Sequence, residues 1–135
     1  MELYSKWTWN RFLSGFAGYD LQRTHELDGT PLSSSPRHSG SAGLSAWIEP
    51  TKTTVGLQSF FVGARRTFQE TTLPATALFS TTLRQSLGAA GPILFASVYN
   101  LFDTHYSVSG AGEHVQDAIP QDGRNFTVGL EVKFR

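Results

Sequence analysis

The residues most able to do chemistry in this 135-residue chain are its four histidines, His25, His38, His105 and His114, and the charged groups near them. "EHVQD" gathers Glu113, His114 and Asp117 in one stretch, a donor set of the kind that binds divalent metals. Their spacing is not a recognised ligand spacing, so a solvated loop is expected there and no metal site is assigned. Arg65–Arg66 could hold an anionic ligand through forked guanidinium hydrogen bonds. Paired arginines at a water-facing strand end also occur simply solvated or paired with acidic neighbours, so ligand-binding residues stay unassigned. "SGAGEH" is glycine-rich, but no helix follows it to complete a phosphate cradle. Ser, His and Asp all occur without anything to arrange them as a triad, so no catalytic residue, cofactor or enzyme activity is expected. Asn100 and Asp103 suit a structural task, organising a strand end and loop through side-chain to backbone hydrogen bonds.

Composition narrows the elements that could position these groups. Lys plus Arg number 11, as do Asp plus Glu, so the balanced charge gives no reason to expect nucleic acid as a partner. The absence of cysteine excludes disulfides, thiolate metal sites and cysteine nucleophiles. No stretch approaches the roughly 18 apolar residues of a spanning helix, and "MELYSKWTWN" is not a signal peptide. Thirteen glycines, 13% aromatics and 16% charged residues argue against disorder and against a helical bundle. Strands are the remaining choice.

The alternation predicts an all-β, antiparallel, up-and-down meander of about seven strands. They cover 1–9, 12–25, 38–49, 53–66, 75–87, 92–100 and the stretch after 124. The third places Gly40, Ala42, Leu44, Ala46 and Ile48 on one face, and the fifth Ala77, Phe79, Thr81, Leu83 and Leu87, with Leu78 the exception on the other side. The sixth is apolar on both faces and its facing is open. Connections alternate, short at 10–11, 50–52 and 88–91 and long at 26–37, 67–74 and 101–123. Outer-membrane barrels sort short periplasmic turns and long external loops in this way.

The last strand sets the alternatives most sharply. Phe126, Val128, Leu130, Val132 and Phe134 share one parity, while Asn125, Thr127, Gly129, Glu131, Lys133 and Arg135 share the other. Every charge therefore stands on the polar side. At roughly 3.3 Å per residue and about 40° of tilt, Phe126 and Phe134 stand about 20 Å apart along a bilayer normal, near the height of an apolar band between aromatic girdles. Trp7, Trp9, Trp47 and Phe134 fall near the periplasmic rim on these strand directions. The alternative is a small soluble or outer-membrane β-barrel binding module, whose apolar faces converge on a closed interior.

The order of motifs adds a resemblance. "GTPLSSSPRHSGSAGLS" (29–45), "FFVGARRT" (60–67), "SVYNLFDTHY" (97–106), "EHVQDAIPQDGRNF" (113–126) and the closing strand resemble the C-terminal barrel region of TonB-dependent outer-membrane receptors. The resemblance covers residues 1–135. It implies a segment of a large transmembrane β-barrel, of 22 strands around an N-terminal plug in such transporters. It also implies uptake of siderophore-bound iron, cobalamin or similar nutrients, energised through TonB. The implied partners are the outer-membrane bilayer, the remainder of the barrel and plug, and the TonB complex by way of an N-terminal part. The chain shows no plug or TonB-contacting segment, and it ends on Arg135 where the family usually ends on an aromatic, here Phe134. A natural truncation, a cropped segment or an incomplete gene prediction, inactive in isolation, is therefore expected, with two open edges. The transported substrate is not identified.

Overall fold

Aromatic and β-branched residues alternating with small polar ones favour pleated backbone, because one face then buries apolar side chains while the other meets water. A computed structural model of the chain, describing residues 1–24, 32–88, 91–110 and 115–132, is built from strands throughout. They are β1 (Glu2–Asn10), β2 (Leu13–Leu21), β3 (His38–Ile48), β4 (Thr53–Val62), β5 (Arg65–Arg66), β6 (Thr72–Leu73), β7 (Thr76–Ser86), β8 (Ile93–Tyr99), β9 (Ser107–Ser109), β10 (Ala118–Pro120) and β11 (Asn125–Glu131). One seven-stranded antiparallel sheet carries the order β1-β2-β3-β4-β7-β8-β11, so the expected meander is present. The two remaining pairs, β5 with β6 and β9 with β10, are small hairpins inside the long loops.

Directly paired residues of an antiparallel sheet share a face. Trp7 pairs with Gly15, Gly15 with Leu44, Leu44 with Leu57, Leu57 with Thr81, Thr81 with Val98 and Val98 with Phe126. Following this register, one face carries Leu3, Ala17, Ala42, Val55, Leu83, Ala96 and Val128 among others, and among the described strand residues it holds no Asp, Glu, Lys or Arg. The opposite face holds Glu2, Lys6, Asp20, Arg84 and Glu131 amid Ser, Thr and Gly. The sixth expected strand, whose facing alternation alone left open, is fixed by its neighbours: Leu94, Ala96 and Val98 lie on the charge-free face and Phe95, Ser97 and Tyr99 on the polar one. The rung begins near the short-turn end of β1 and finishes at the long-loop end of β11. That stagger is the shear that tilts strands in a closed barrel.

This sheet covers almost nothing. Among the described apolar residues only Leu73 (7% exposed) and Leu78 (4%) are buried, whereas Val128 is 73% and Leu130 57% exposed. A sealed β-sandwich or lipocalin-like globule would have the reverse. Leu78 does lie on the polar face, as anticipated, yet its burial removes it from the water there.

Several expected limits move. The second strand ends at Leu21 and the fourth at Val62, where Gln22 donates to the Arg37 carbonyl (2.9 Å) and Gly63 to that of His38 (2.7 Å) before the chain leaves the sheet. The expected loop 67–74 contains half of the β5–β6 hairpin, and 101–123 contains the β9–β10 hairpin. The turn expected at Asn10–Arg11 falls at Arg11–Phe12 because Asn10 Oδ1 accepts from the amides of Phe12 (2.8 Å) and Leu13 (2.9 Å). Trp47 sits at the rim but on the polar face, opposite Thr54, and so faces away from Trp7. Phe134 and Arg135 lie outside the described residues, as do Ala89–Ala90 of the third tight turn.

Candidate functional site

The chemistry-bearing residues collect at the long-loop end of the sheet, and the first device there is a turn. Asn100 follows β8 at φ 52°, in the left-handed region that Asn tolerates best among residues with a Cβ. Fully buried, it donates from Nδ2 to the Thr104 carbonyl (2.9 Å) and accepts at Oδ1 from the Thr104 amide (2.8 Å). Asp103, at φ 55°, accepts at Oδ1 from the Arg124 amide (2.7 Å). A Cβ at Gly123 would collide with that same oxygen, so any other residue there would push the Asp103 carboxylate aside. "NLFD" and "QDGR", separated in sequence, are therefore two halves of one clamp that aims β11 back along β8. The structural task expected of Asn100 and Asp103 is the one they perform.

A carboxylate joins the two longest described loops. Asp117 Oδ2 accepts from Thr67 Oγ1 (2.7 Å) and from the Thr71 hydroxyl, and Oδ1 accepts from the Gln69 amide (3.1 Å). Thr67 is fully buried, and its hydroxyl accepts from the Thr71 amide (3.0 Å) while its own amide donates to the Thr71 carbonyl (2.8 Å). Arg65 Nη2 reinforces the junction by donating to the Ser107 carbonyl (3.2 Å). The hydrogen bonds of Thr71, then Thr67, then the Gln69 amide hold the Asp117 carboxyl below its ordinary range.

Asp117 is thus engaged by hydroxyls and an amide. Its companions Glu113 and His114, and also His25, lie outside the described residues, and no group of three metal-binding side chains occurs among those described. His38 accepts or donates at Nδ1 against the Tyr19 hydroxyl (2.6 Å), and His105 is exposed. Arg66 meets Glu70 at 3.6 Å, while Arg65 Nη1 finds no partner among the described residues. Thr67, Thr71 and Gln69 escaped the sequence reading because their partner lies some fifty positions away and nothing local marks them (|i−j| = 50 for Thr67 with Asp117).

Tyr99 and Tyr106 close the inner side of this end, hydroxyl to hydroxyl at 3.2 Å. Burial first, then the hydrogen bond and charge of Tyr99 and the charge of Asp122, push the Tyr106 phenol from 10.0 up to about 12. Elsewhere the polar face forms a groove of about 230 Å³ bordered by Lys6, Ser14, Phe16, Ser45, Gln58 and Thr82. Arg84 and Glu131 bridge across β8 at 2.7 Å on the same face.

The charge-free face is banded. Tyr19, Phe61, Phe79 and Phe126 mark its long-loop end, and Phe102 meets Phe79 edge to face at 5.3 Å. Trp7 and Trp9, ring centroids 5.5 Å apart, mark the short-turn end. Aromatics thus stand at both ends of this apolar belt, on four strands at the long-loop end and on β1 alone at the other.

The sequence matches no protein-family model and no curated protein. Its fold is similar to the ferric yersiniabactin uptake receptor FyuA from Yersinia pestis, with a TM-score of 0.86 and 17% identity over 99% of this chain and 23% of that one. It is also similar to the ferric-catecholate import receptor Fiu from E. coli K12, with a TM-score of 0.81 and 18% identity over 98% and 20% of the two chains. The siderophore receptor PiuA from Acinetobacter baumannii follows, with a TM-score of 0.76 and 16% identity over 98% and 21%. These neighbours are transport receptors, not enzymes, and the chain spans roughly a fifth of their length (23%, 20% and 21%). The fold is that of an arc of such a receptor's barrel, in line with the resemblance carried by the motifs.

Proposed function

We propose that this chain forms part of the wall and external mouth of a TonB-dependent outer-membrane receptor that takes up siderophore-bound iron or a similarly scarce nutrient, cobalamin included. The observation that carries this reading is the face that holds no Asp, Glu, Lys or Arg among the described strand residues, has aromatics at both ends and is left uncovered by the fold. Such a surface tolerates acyl chains, while the Ser-, Thr- and Gly-rich face suits a water-filled lumen. The similarity to three siderophore receptors supports the same assignment.

On this reading the clamped loops form part of the mouth, and transport requires the rest of the barrel, a plug and the TonB complex. The isolated arc transports nothing, because an open seven-stranded sheet encloses no lumen. The test is detergent dependence. The purified chain is expected to aggregate in plain buffer and to disperse with native-like β content in micelles. A stable monomer in buffer without detergent would contradict the reading and favour a soluble binding module.

A further inference from the structure

Among the described strand residues, the charge-free face carries two ionisable side chains, Tyr19 and His38. They are bonded to each other, the Tyr19 hydroxyl against His38 Nδ1 at 2.6 Å. Tyr19 pairs with Gly40 and Leu21 with His38, so the two are diagonal neighbours on adjacent strands. A Cβ at Gly40 would stand 3.8 Å from the Tyr19 ring and 2.9 Å from the Gly18 carbonyl oxygen, and glycine leaves clear the space across which the ring leans. The backbone of His38 is fixed on both sides, paired with Leu21 on β2 and accepting at its carbonyl from the Gly63 amide (2.7 Å).

Tyr19 and Phe61 flank Gly40 on one rung, and His38 stands two residues nearer the long loops, about 6–7 Å further along the strand. Aromatic girdles mark the headgroup level of a bilayer. On the proposed barrel reading, on which this inference rests, His38 therefore reaches the layer of lipid phosphates. The neighbouring β4 brings Phe61, Val62 and Gly63 against it, none of them charged. Asp20 and Glu2 stand on the opposite face. Arg23 and Arg37 flank the ends of β2 and β3 at this rim, and the Met1 ammonium donates to the Leu21 carbonyl (2.8 Å). The charge around the pair on its own side is therefore positive.

In neutral imidazole one ring nitrogen donates and the other accepts, so the bond to Tyr19 leaves the pair uncharged. In the imidazolium both nitrogens carry hydrogen. Nδ1 then donates to the Tyr19 oxygen, which frees the phenol hydrogen, and that hydrogen and Nε2–H are both left for an outside acceptor. One positive charge with two donors complements a phosphate. We infer that Tyr19 and His38 form a pH-gated site for the phosphate of a lipid headgroup, engaged when the imidazole is protonated and released when it is neutral. The lipid is the source because the pair stands on the face that meets acyl chains and away from the lumen. Histidine ordinarily changes charge within about pH 5–8, so the gate works in the range an outer surface meets.

The test places the full chain in phosphatidylcholine vesicles with a trace of spin-labelled phosphatidylglycerol or spin-labelled phosphatidylcholine. Electron spin resonance gives the fraction of each lipid held motionally restricted at the protein. The phosphatidylglycerol phosphate keeps its charge over this range, so a changed preference reports the protein. Preference for the anionic lipid should rise roughly fivefold from about pH 8 to about pH 5, the effect of one cation at such a surface. His38→Gln should abolish the rise, and Tyr19→Phe should keep only part of it. His38→Lys, charged throughout, should hold the high preference at both pH values, which keeps the test sharp if the neutral variant folds poorly. No rise in the unaltered chain, a rise that persists in His38→Gln or His38→Lys, or a full rise in Tyr19→Phe overturns the inference. So does a rise that inorganic phosphate in the buffer abolishes, since that marks a site for the free anion. A chain that restricts neither lipid defeats the membrane reading along with this one, whereas equal restriction of both lipids at every pH defeats this one alone.

Discussion

Asp117 shows how much one side chain can organise when its partners come from another loop. Its carboxyl is held below the ordinary 3.8, so the folded loops bind its proton less readily than the unfolded chain does. That stabilisation is complete above the unfolded pKa and is lost as the pH falls through the folded one. Protection of the Gln69 and Thr71 amides, measured against their intrinsic exchange rates, should therefore fall as the pH drops below the ordinary carboxylate range. Asp117→Asn should show low protection at every pH and lose that dependence. Asn100 offers a second case. Asn100→Ala removes both hydrogen bonds to Thr104 and keeps the unfavourable φ, so it should cost about 1–3 kcal/mol in denaturant unfolding in micelles. Asn100→Gly relieves the backbone and should recover part of that loss, which separates conformational strain from hydrogen bonding. The Arg84–Glu131 pair, with both side chains some 40% exposed (43% and 41%), contributes much less, about 0–1 kcal/mol.

Among the elements, β11 carries the sharpest prediction. Val128→Lys would place an ammonium in the apolar belt at a cost of about 2–4 kcal/mol if it lies near the midplane, whereas Thr127→Lys would face the lumen and cost little. Folding yields of the two variants in lipid vesicles should differ accordingly. Strand identity and facing could be read from the sequence here because period-2 alternation is written directly into residues 125–132. The sixth strand could not be read that way, since Ile93, Phe95 and Leu94 are all apolar and only the pairing of Ala96 with Leu83 and Val128 decides between faces. Strand ends were less readable for a related reason. Arg65–Arg66 close the expected strand 53–66, but they pair with Thr72–Leu73 instead of the sheet, a tertiary choice that no local pattern announces. The Asn100–Asp103 turn was readable from its residue types, while its grip on Gly123 and Arg124 was not.

At the scale of the molecule, an amphipathic sheet without a core needs a second apolar phase to be stable. The measurement that tests this most directly is a nitroxide scan in lipid bilayers, with single cysteines at Leu57, Leu83 and Val128 on one face and Gln58, Thr82 and Thr127 on the other. Collision with oxygen, which concentrates in acyl chains, should be high for the first three labels, and collision with a water-soluble nickel chelate high for the second three. Equal accessibility on both faces, or the opposite alternation, would contradict the account.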